Sequence, residues 1–172
     1  MIKMTSNVAD VISRLQSKVE DINAAGPLIC ESLAYIGEEV ASDGFSGAEY
    51  PGTNDVSVSV EAGDKEARVV AEGQAVAFIE FGAGVTQPGY PGPMPAGVSP
   101  RGTYGDGKGA NPNGWVYKGS PGTGAVMPVA DRHGVEKAGV YRTYGNPPAS
   151  AMYHAVIEME ERYKEVAKEV LE

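Results

Sequence analysis

Residues 102–109 read GTYGDGKG and match most of a phosphate-binding loop, in which two glycines precede a lysine. Such a loop binds nucleotides because backbone N–H groups and the lysine surround the phosphates, while a following Ser or Thr holds Mg²⁺. Here Gly109 occupies the Ser/Thr position. A strand should precede the loop and a helix should follow it, whereas PGPMPAGVSPR and ANPNG flank this one. We therefore interpret the match as coincidental and expect no cofactor.

Four other residues could carry chemistry. His133 and His154 fall in different predicted elements, and neither belongs to a spacing typical of metal ligands. Cys30 lies in an apolar helical stretch, which favours a buried thiol, and no nucleophile-elbow motif occurs. Glu80 lies between two large apolar residues, and on an alternating strand its side chain would face away from both. We expect an exposed or interface carboxylate there, and assign no catalytic or metal-binding residue.

Composition limits the possible partners. The 172 residues suffice for one domain, which we predict to span residues 1–172. The 23 acidic residues outnumber the 14 Lys and Arg, and the net charge of −9 argues against a protein that binds nucleic acid through phosphate contacts. No apolar run approaches the roughly 20 residues that span a bilayer, so we expect no membrane association.

Apolar periodicity predicts helices at both ends of the chain. The spacing of three and four residues indicates helical structure over residues 7–43, where Gly26-Pro27 predicts either one kinked helix or two helices in tandem. The same spacing predicts a terminal helix over about residues 148–171, with Asn146 near its N-terminal cap.

Between the helices, alternation predicts strands over about residues 55–81 as a three-stranded antiparallel meander. Its third strand covers residues 75–81, and Ile79 and Phe81 are expected to face the helices. A further strand is predicted over Val140 to Tyr144.

A glycine- and proline-rich loop is predicted over residues 82–124, which hold 13 of the 23 glycines and 7 of the 12 prolines. Its one strand-like segment is WVY at residues 115–117. Loops of this length in compact domains commonly serve a function, and aromatic side chains in them can bury area against a partner. The predicted interface residues, in the loop and at the start of the terminal helix, are Tyr90, Tyr104, Trp115, Tyr117, Met152 and Tyr153.

The string AVAFIEFGAGV at residues 75–85 carries a family resemblance, together with the long loop, the WVY strand and GNPPASAMYHA before the last helix. In this order the segments resemble the tail-completion proteins of long-tailed bacteriophages, the head-to-tail joining family also described as minor capsid or minor tail proteins. One departure is that the family usually has an aromatic residue directly after the proline, whereas Ala149 follows Pro148 here. Met152 and Tyr153 would supply that packing instead.

The resemblance implies an α+β fold in which a long N-terminal helix and a C-terminal helix pack on a small antiparallel sheet. It also implies a structural virion protein rather than an enzyme, made in the bacterial host cytoplasm. Its partners would be its own copies, in a ring of six, and the head connector or stopper and the tail tube. DNA would pass through without specific binding, which an acidic surface favours because it avoids phosphate contacts.

Two alternatives remain open from the residues. A small ligand-binding domain or enzyme could use the glycine-rich loop as a lid, but it would need a pocket with convergent titratable groups. A free-standing adaptor could bind one partner through the same loop.

Overall fold

The computed structural model describes residues 8–85, 87–95 and 111–172, and within these ranges three helices and five strands follow one another. The strands form two antiparallel sheets, a β1–β2 hairpin and a three-stranded sheet in the order β3-β5-β4. The chain therefore has an α+β fold, as expected. In chain order the elements are α1 Val8–Ser46, β1 Ser57–Ala62, β2 Ala67–Glu72, α2 Val76–Phe81, β3 Trp115–Lys118, β4 Val126–Ala130, β5 Glu136–Thr143 and α3 Ala151–Leu171.

The long first helix, α1, continues past Pro27, so the two-helix alternative is wrong. Proline lacks an N–H group and removes one backbone hydrogen bond, but the helix resumes because its apolar face has a packing partner farther along. The helix ends at Ser46, beyond the predicted end at residue 43.

Replacing Gly26 by alanine is expected to stabilise the protein by about 0.5–1 kcal/mol, because alanine restricts the unfolded chain and favours the helix. A Cβ atom at Gly26 would meet nothing within 4 Å outside its own helix turn, so only crowding against Cδ of Pro27 opposes this gain. Chemical denaturation of the two proteins measures the difference. An unchanged or lower stability would mean that the helix at Gly26-Pro27 needs the freedom of glycine.

The C-terminal half of α1 packs antiparallel against α3, and small residues allow the two backbones to approach closely. A Cβ atom on Gly44 would lie 2.7 Å from Cβ of Ala151, and one on Gly37 would lie 2.8 Å from Sδ of Met159. The last turn of α3 lies beside the middle of α1, where both helices line a shallow groove that includes Ile22. The first part of α1, residues 8–17, therefore extends beyond the end of α3.

The hydrophobic core lies where α1, α2 and the start of α3 meet. Its largest apolar members are Phe45 and Ile79, and half-buried valines of the β1–β2 hairpin cover one side. Phe81, which was predicted to face the helices beside Ile79, is only half-buried and packs against Tyr90 instead. The buried cluster consists of Ala41, Phe45, Ala75, Ile79, Ala151 and Ala155.

The predicted third strand over residues 75–81 is wrong, because most of this segment forms the short helix α2. The cause is a contact distant in sequence: both carboxylate oxygens of Asp55 accept backbone hydrogen bonds, from N–H of Gln74 at 2.8 Å and of Ala75 at 2.9 Å. These bonds fix the turn that leads into the helix. The hairpin expected at Gly73-Gln74 is therefore replaced by a strand-to-helix turn, and the meander by the two-stranded β1–β2 ribbon.

We expect an Asp55→Asn variant to be less stable than the wild type at neutral pH, and this difference to disappear in acid. The N–H groups of Gln74 and Ala75 hold the pKa of the Asp55 carboxyl below its usual value. A lowered folded-state pKa adds stability that is complete above the unfolded pKa of about 3.9 and is lost as the pH falls through the folded pKa. Thermal unfolding of both proteins between neutral pH and acid measures this. A difference that stayed constant on acidification would contradict the assignment.

Part of the predicted loop is held by hydrogen bonds to the segment that follows α1. Thr123 donates a hydrogen bond from Oγ1 to the carbonyl oxygen of Ala48 at 2.8 Å, and its Oγ1 accepts one from N–H of Tyr50 at 3.2 Å. These bonds attach the β3–β4 connection to the helical layer. Strand β4 was not predicted from sequence, while β5 confirms and lengthens the strand predicted over Val140 to Tyr144.

Candidate functional site

Glu80, the carboxylate expected to be exposed, is buried and only 3% of its surface is accessible. Its Oε2 accepts a hydrogen bond from N–H of Met152 at 3.0 Å, and its Oε1 accepts one from N–H of Tyr153 at 3.2 Å. The hydroxyl of Tyr90 donates to the same Oε1 at 2.9 Å. A carboxylate at a helix N-terminus satisfies free N–H groups and interacts favourably with the helix dipole. Glu80 is thus the N-terminal cap of α3, supplied by α2.

The start of α3 depends on this distant cap because its own sequence provides none. Ser150 precedes the helix in a left-handed conformation, with φ of 53°, and its side chain makes no capping hydrogen bond. The helix begins at Ala151, later than the predicted start near residue 148. Asn146, which was expected near the cap, instead donates from Nδ2 to the carbonyl oxygen of Phe78 at 2.9 Å. The predicted capping role of Asn146 is therefore wrong.

Residues 79–84, in the glycine-containing second half of the AVAFIEFGAGV string, make a close backbone contact with the segment before α3. Ala83 and Asn146 exchange two backbone hydrogen bonds of 3.0 and 2.9 Å. Gly84 has a φ of +97°, and a Cβ atom there would overlap the carbonyl oxygen of Tyr144. The string that carries the family resemblance therefore joins α2, the following loop and α3 at one buried junction.

Two of the predicted interface residues, Tyr90 and Tyr153, meet in an aromatic cluster beside Glu80. The Tyr90 ring lies 4.9 Å from Phe81 and 5.9 Å from Tyr153 between centroids, and Tyr153 lies 5.7 Å from His154. Burial, and the hydrogen bond to Glu80, raise the pKa of the Tyr90 hydroxyl well above its usual value. Tyr90 is therefore a hydrogen-bond donor to Glu80 throughout the physiological pH range. Met152, next to this cluster, packs half-buried against the hydrophobic core.

Trp115 and Tyr117 lie elsewhere, on β3 of the three-stranded sheet. Trp115 pairs with Thr143 and Tyr117 with Tyr141, and the two tyrosine rings lie 5.9 Å apart. The Tyr117 hydroxyl donates to the carbonyl oxygen of Ser120 at 2.9 Å. The predicted interface residues thus form two separate groups, and Tyr104 lies outside the described residues, as does the phosphate-loop-like segment.

An exposed apolar surface lies on the first half of α1, and we call it the α1 stripe. Its six aliphatic side chains are each 50–61% exposed, although the sequence pattern had predicted an ordinary packed helix face. The signal in the sequence was the length of the apolar periodicity, which exceeds the length of α3 that could cover it. The stripe consists of Val8, Val11, Ile12, Leu15, Val19 and Ile22.

A second apolar surface, the α1–α3 groove, lies between the two long helices. Leu33 of α1 and Val156, Met159 and Tyr163 of α3 line it, with Glu160 as its charged member. Val156 and Tyr163 are 45% and 54% exposed, so the groove is open to a partner. Both surfaces were missed by the prediction of aromatic interface residues, because exposure depends on which elements cover which faces.

The remaining candidates do not converge. His133 and His154 are exposed on different elements, and Cys30 is half-buried rather than buried. Over the described ranges, no three His, Cys, Asp or Glu residues are grouped closely enough to hold a metal ion. In the same part of the chain, no helix has the length and apolar character needed to cross a membrane.

Comparison of the chain with protein-family models, with curated proteins and with solved structures finds no match.

Proposed function

We propose that this chain is a structural protein of a long-tailed bacteriophage virion that joins the head connector to the tail. The observation that carries the proposal is the pair of exposed apolar surfaces, the α1 stripe and the α1–α3 groove. Exposed patches of this extent on soluble proteins mark sites of protein–protein contact. A chain that exposes them on its longest elements is suited to work within an assembly.

The junction around Glu80 supports the same proposal from the string that carries the resemblance. The carboxylate of Glu80 is fully engaged by Met152, Tyr153 and Tyr90, and it lies buried against the start of α3. A buried carboxylate with three donors is suited to hold elements together. In this proposal the string serves to fix the last helix, so that its exposed face is presented to neighbouring subunits.

Charge supports the proposed position in the path of the DNA. The chain carries a net charge of −9, and a conduit with such a surface repels phosphate rather than holding it. In the assembled particle six copies form a ring between the connector or stopper and the tail tube. The aromatic cluster at Tyr90 and Tyr153, and β3 with Trp115 and Tyr117, are the proposed contacts with those neighbouring proteins.

Removing this protein from the phage is expected to leave filled heads and separate tails, because neither would have the joining ring. Adding the purified protein to such an extract should restore joined particles in electron micrographs, with the added protein labelled at the junction. Buffer alone is the control. Particles that join equally well without the protein, or label found away from the junction, would contradict the proposal.

A further inference from the structure

The α1 stripe is large enough to contribute to a stable interface. Six aliphatic side chains with half or more of their surface exposed present roughly 600 Å² of apolar area. A standard interface buries about 800 Å² on each partner, so the stripe would supply most of one side. Residues 8–17 lie beyond the end of α3, whereas Ile22 lines a shallow groove together with the last residues of that helix.

The stripe continues the helix face that packs against α3 farther along α1. Leu15 precedes Leu33 by eighteen residues, and Val19 precedes Gly37 by the same distance, which is about five helical turns. Gly37 contacts Met159 of α3, and Leu33 lines the α1–α3 groove. The stripe therefore presents the same face of α1 that packs against α3 farther along the helix.

The α1–α3 groove has the apolar chemistry to accept side chains of the stripe. It has a volume of about 320 Å³ and is lined mainly by Leu33, Val156, Met159 and Tyr163. Its α3 residues cover about 11 Å of that helix, or about two turns. About two turns of the stripe can thus contact the groove at once.

Some of the charges at the two surfaces are opposite in sign. Arg14 and Lys18 lie among the stripe residues, together with three acidic residues, and Glu160 lines the groove. The side chains of Arg14, Lys18 and Glu160 form no ion pair with another residue in the described ranges. Opposite charges at the border of an apolar contact favour one partner and one orientation.

We infer that the α1 stripe of one copy docks into the α1–α3 groove of a second copy. The stripe is a convex ridge and the groove is concave, so the contact is heterologous, and repetition of it generates a ring where the rotation closes. This inference rests on the proposed function, since it names the contact that would build the proposed ring. Docking of stripe against stripe, which would give a two-fold dimer and leave the groove uncovered, is the competing arrangement.

Two variants of the full chain separate these arrangements. The stripe variant combines Leu15→Asp and Val19→Asp, and the groove variant combines Val156→Asp and Tyr163→Asp. All four positions are exposed, so each variant should retain its fold, as circular dichroism and thermal unfolding would show. Where the double groove variant lost helicity, Tyr163→Asp alone would serve. Ser17→Asp, on the opposite side of α1, is the control that adds charge outside the stripe.

We expect the wild type and Ser17→Asp to form rings in analytical ultracentrifugation, and each interface variant alone to be monomeric. A mixture of the two variants should give a heterodimer and no larger species, because the mixture retains one intact stripe–groove pair. A groove variant that still assembles while the stripe variant does not would establish stripe–stripe pairing and overturn the inference. Variants that both assemble, a mixture that stays monomeric, or a wild type that stays monomeric at high micromolar concentration would also overturn it.

The outcome is distinguishable from failure of the proposed function, because ultracentrifugation uses the purified chain alone. Rings that depend on the stripe and groove but are not found at the head–tail junction would leave the interface standing and refute the function. Particles that are joined by this protein, together with a variant mixture that stays monomeric, would refute the interface and leave the function standing.

Discussion

Replacing Glu80 by alanine is expected to lower the free energy of unfolding by about 4 kcal/mol, because the N–H groups of two half-buried α3 residues and the Tyr90 hydroxyl would lose their charged acceptor. Met152 and Tyr153 donate to the carboxylate at 3.0 and 3.2 Å, and no local side chain can replace it because Ser150 makes no capping bond. The first turn of α3 should therefore fray, and the junction with α2 should loosen.

A Glu80→Gln variant separates the effect of the charged acceptor oxygens from the effect of the side-chain volume. Glutamine fills nearly the same space but carries one acceptor oxygen and an NH₂ group that would face donors, so we expect a loss of about 2 kcal/mol. Glu161→Ala, at an exposed position on α3, is the matched control and should change stability by less than about 0.5 kcal/mol. Urea unfolding monitored by circular dichroism measures all three. Equal stability of Glu80→Ala and Glu161→Ala would show that α3 does not depend on this cap.

Replacing Gly145 by alanine is expected to cost about 4 kcal/mol, because two unfavourable effects act at one position. Gly145 has a φ of +99°, which strains any residue with a Cβ atom, and that Cβ would overlap the carbonyl of Ala83. Relief of the overlap would require separation of the backbones of Ala83 and Asn146, which are joined by hydrogen bonds of 3.0 and 2.9 Å.

Gly134→Ala isolates the conformational part of this effect. Gly134 has a similar φ of +80° in the β4–β5 turn, but a Cβ atom there would meet nothing within 4 Å. Its substitution should therefore cost only about 1 kcal/mol. If thermal unfolding gave the same loss for both variants, the close approach at Gly145 would contribute nothing, and the proposed rigidity of the junction would be wrong.

Local patterns were sufficient to predict the elements whose packing follows from their own sequence. The amphipathic periodicity of α1 and α3 and the strand-like composition of β1, β2 and β5 are local features, so these elements were found, although β5 begins at Glu136, four residues before its predicted start. The interpretation of residues 102–109 as a coincidental match to a phosphate-binding loop stays a prediction, because this segment lies outside the described residues.

The candidate site was predicted only in part. Tyr90 and Tyr153 were selected from sequence and lie together, but their meeting point is Glu80, whose environment was predicted incorrectly. The error followed from the assignment of residues 75–81 to a strand, since alternation on a strand placed the carboxylate away from the core. On the short helix α2, Ile79 and Glu80 are both buried.

The sequence by itself therefore determined the amphipathic helices, the hairpin and the acidic charge, because each depends on residues that are neighbours in the chain. Only the tertiary structure decided that residues 75–81 form a helix, because Asp55 holds the turn before it from a distance along the chain. Tertiary structure also decided that Glu80 caps α3 and that most of the α1 stripe has no cover from α3. Capping across elements and exposure of a helix face are set by which surfaces meet, and a periodic pattern does not say which element covers which part of a helix face.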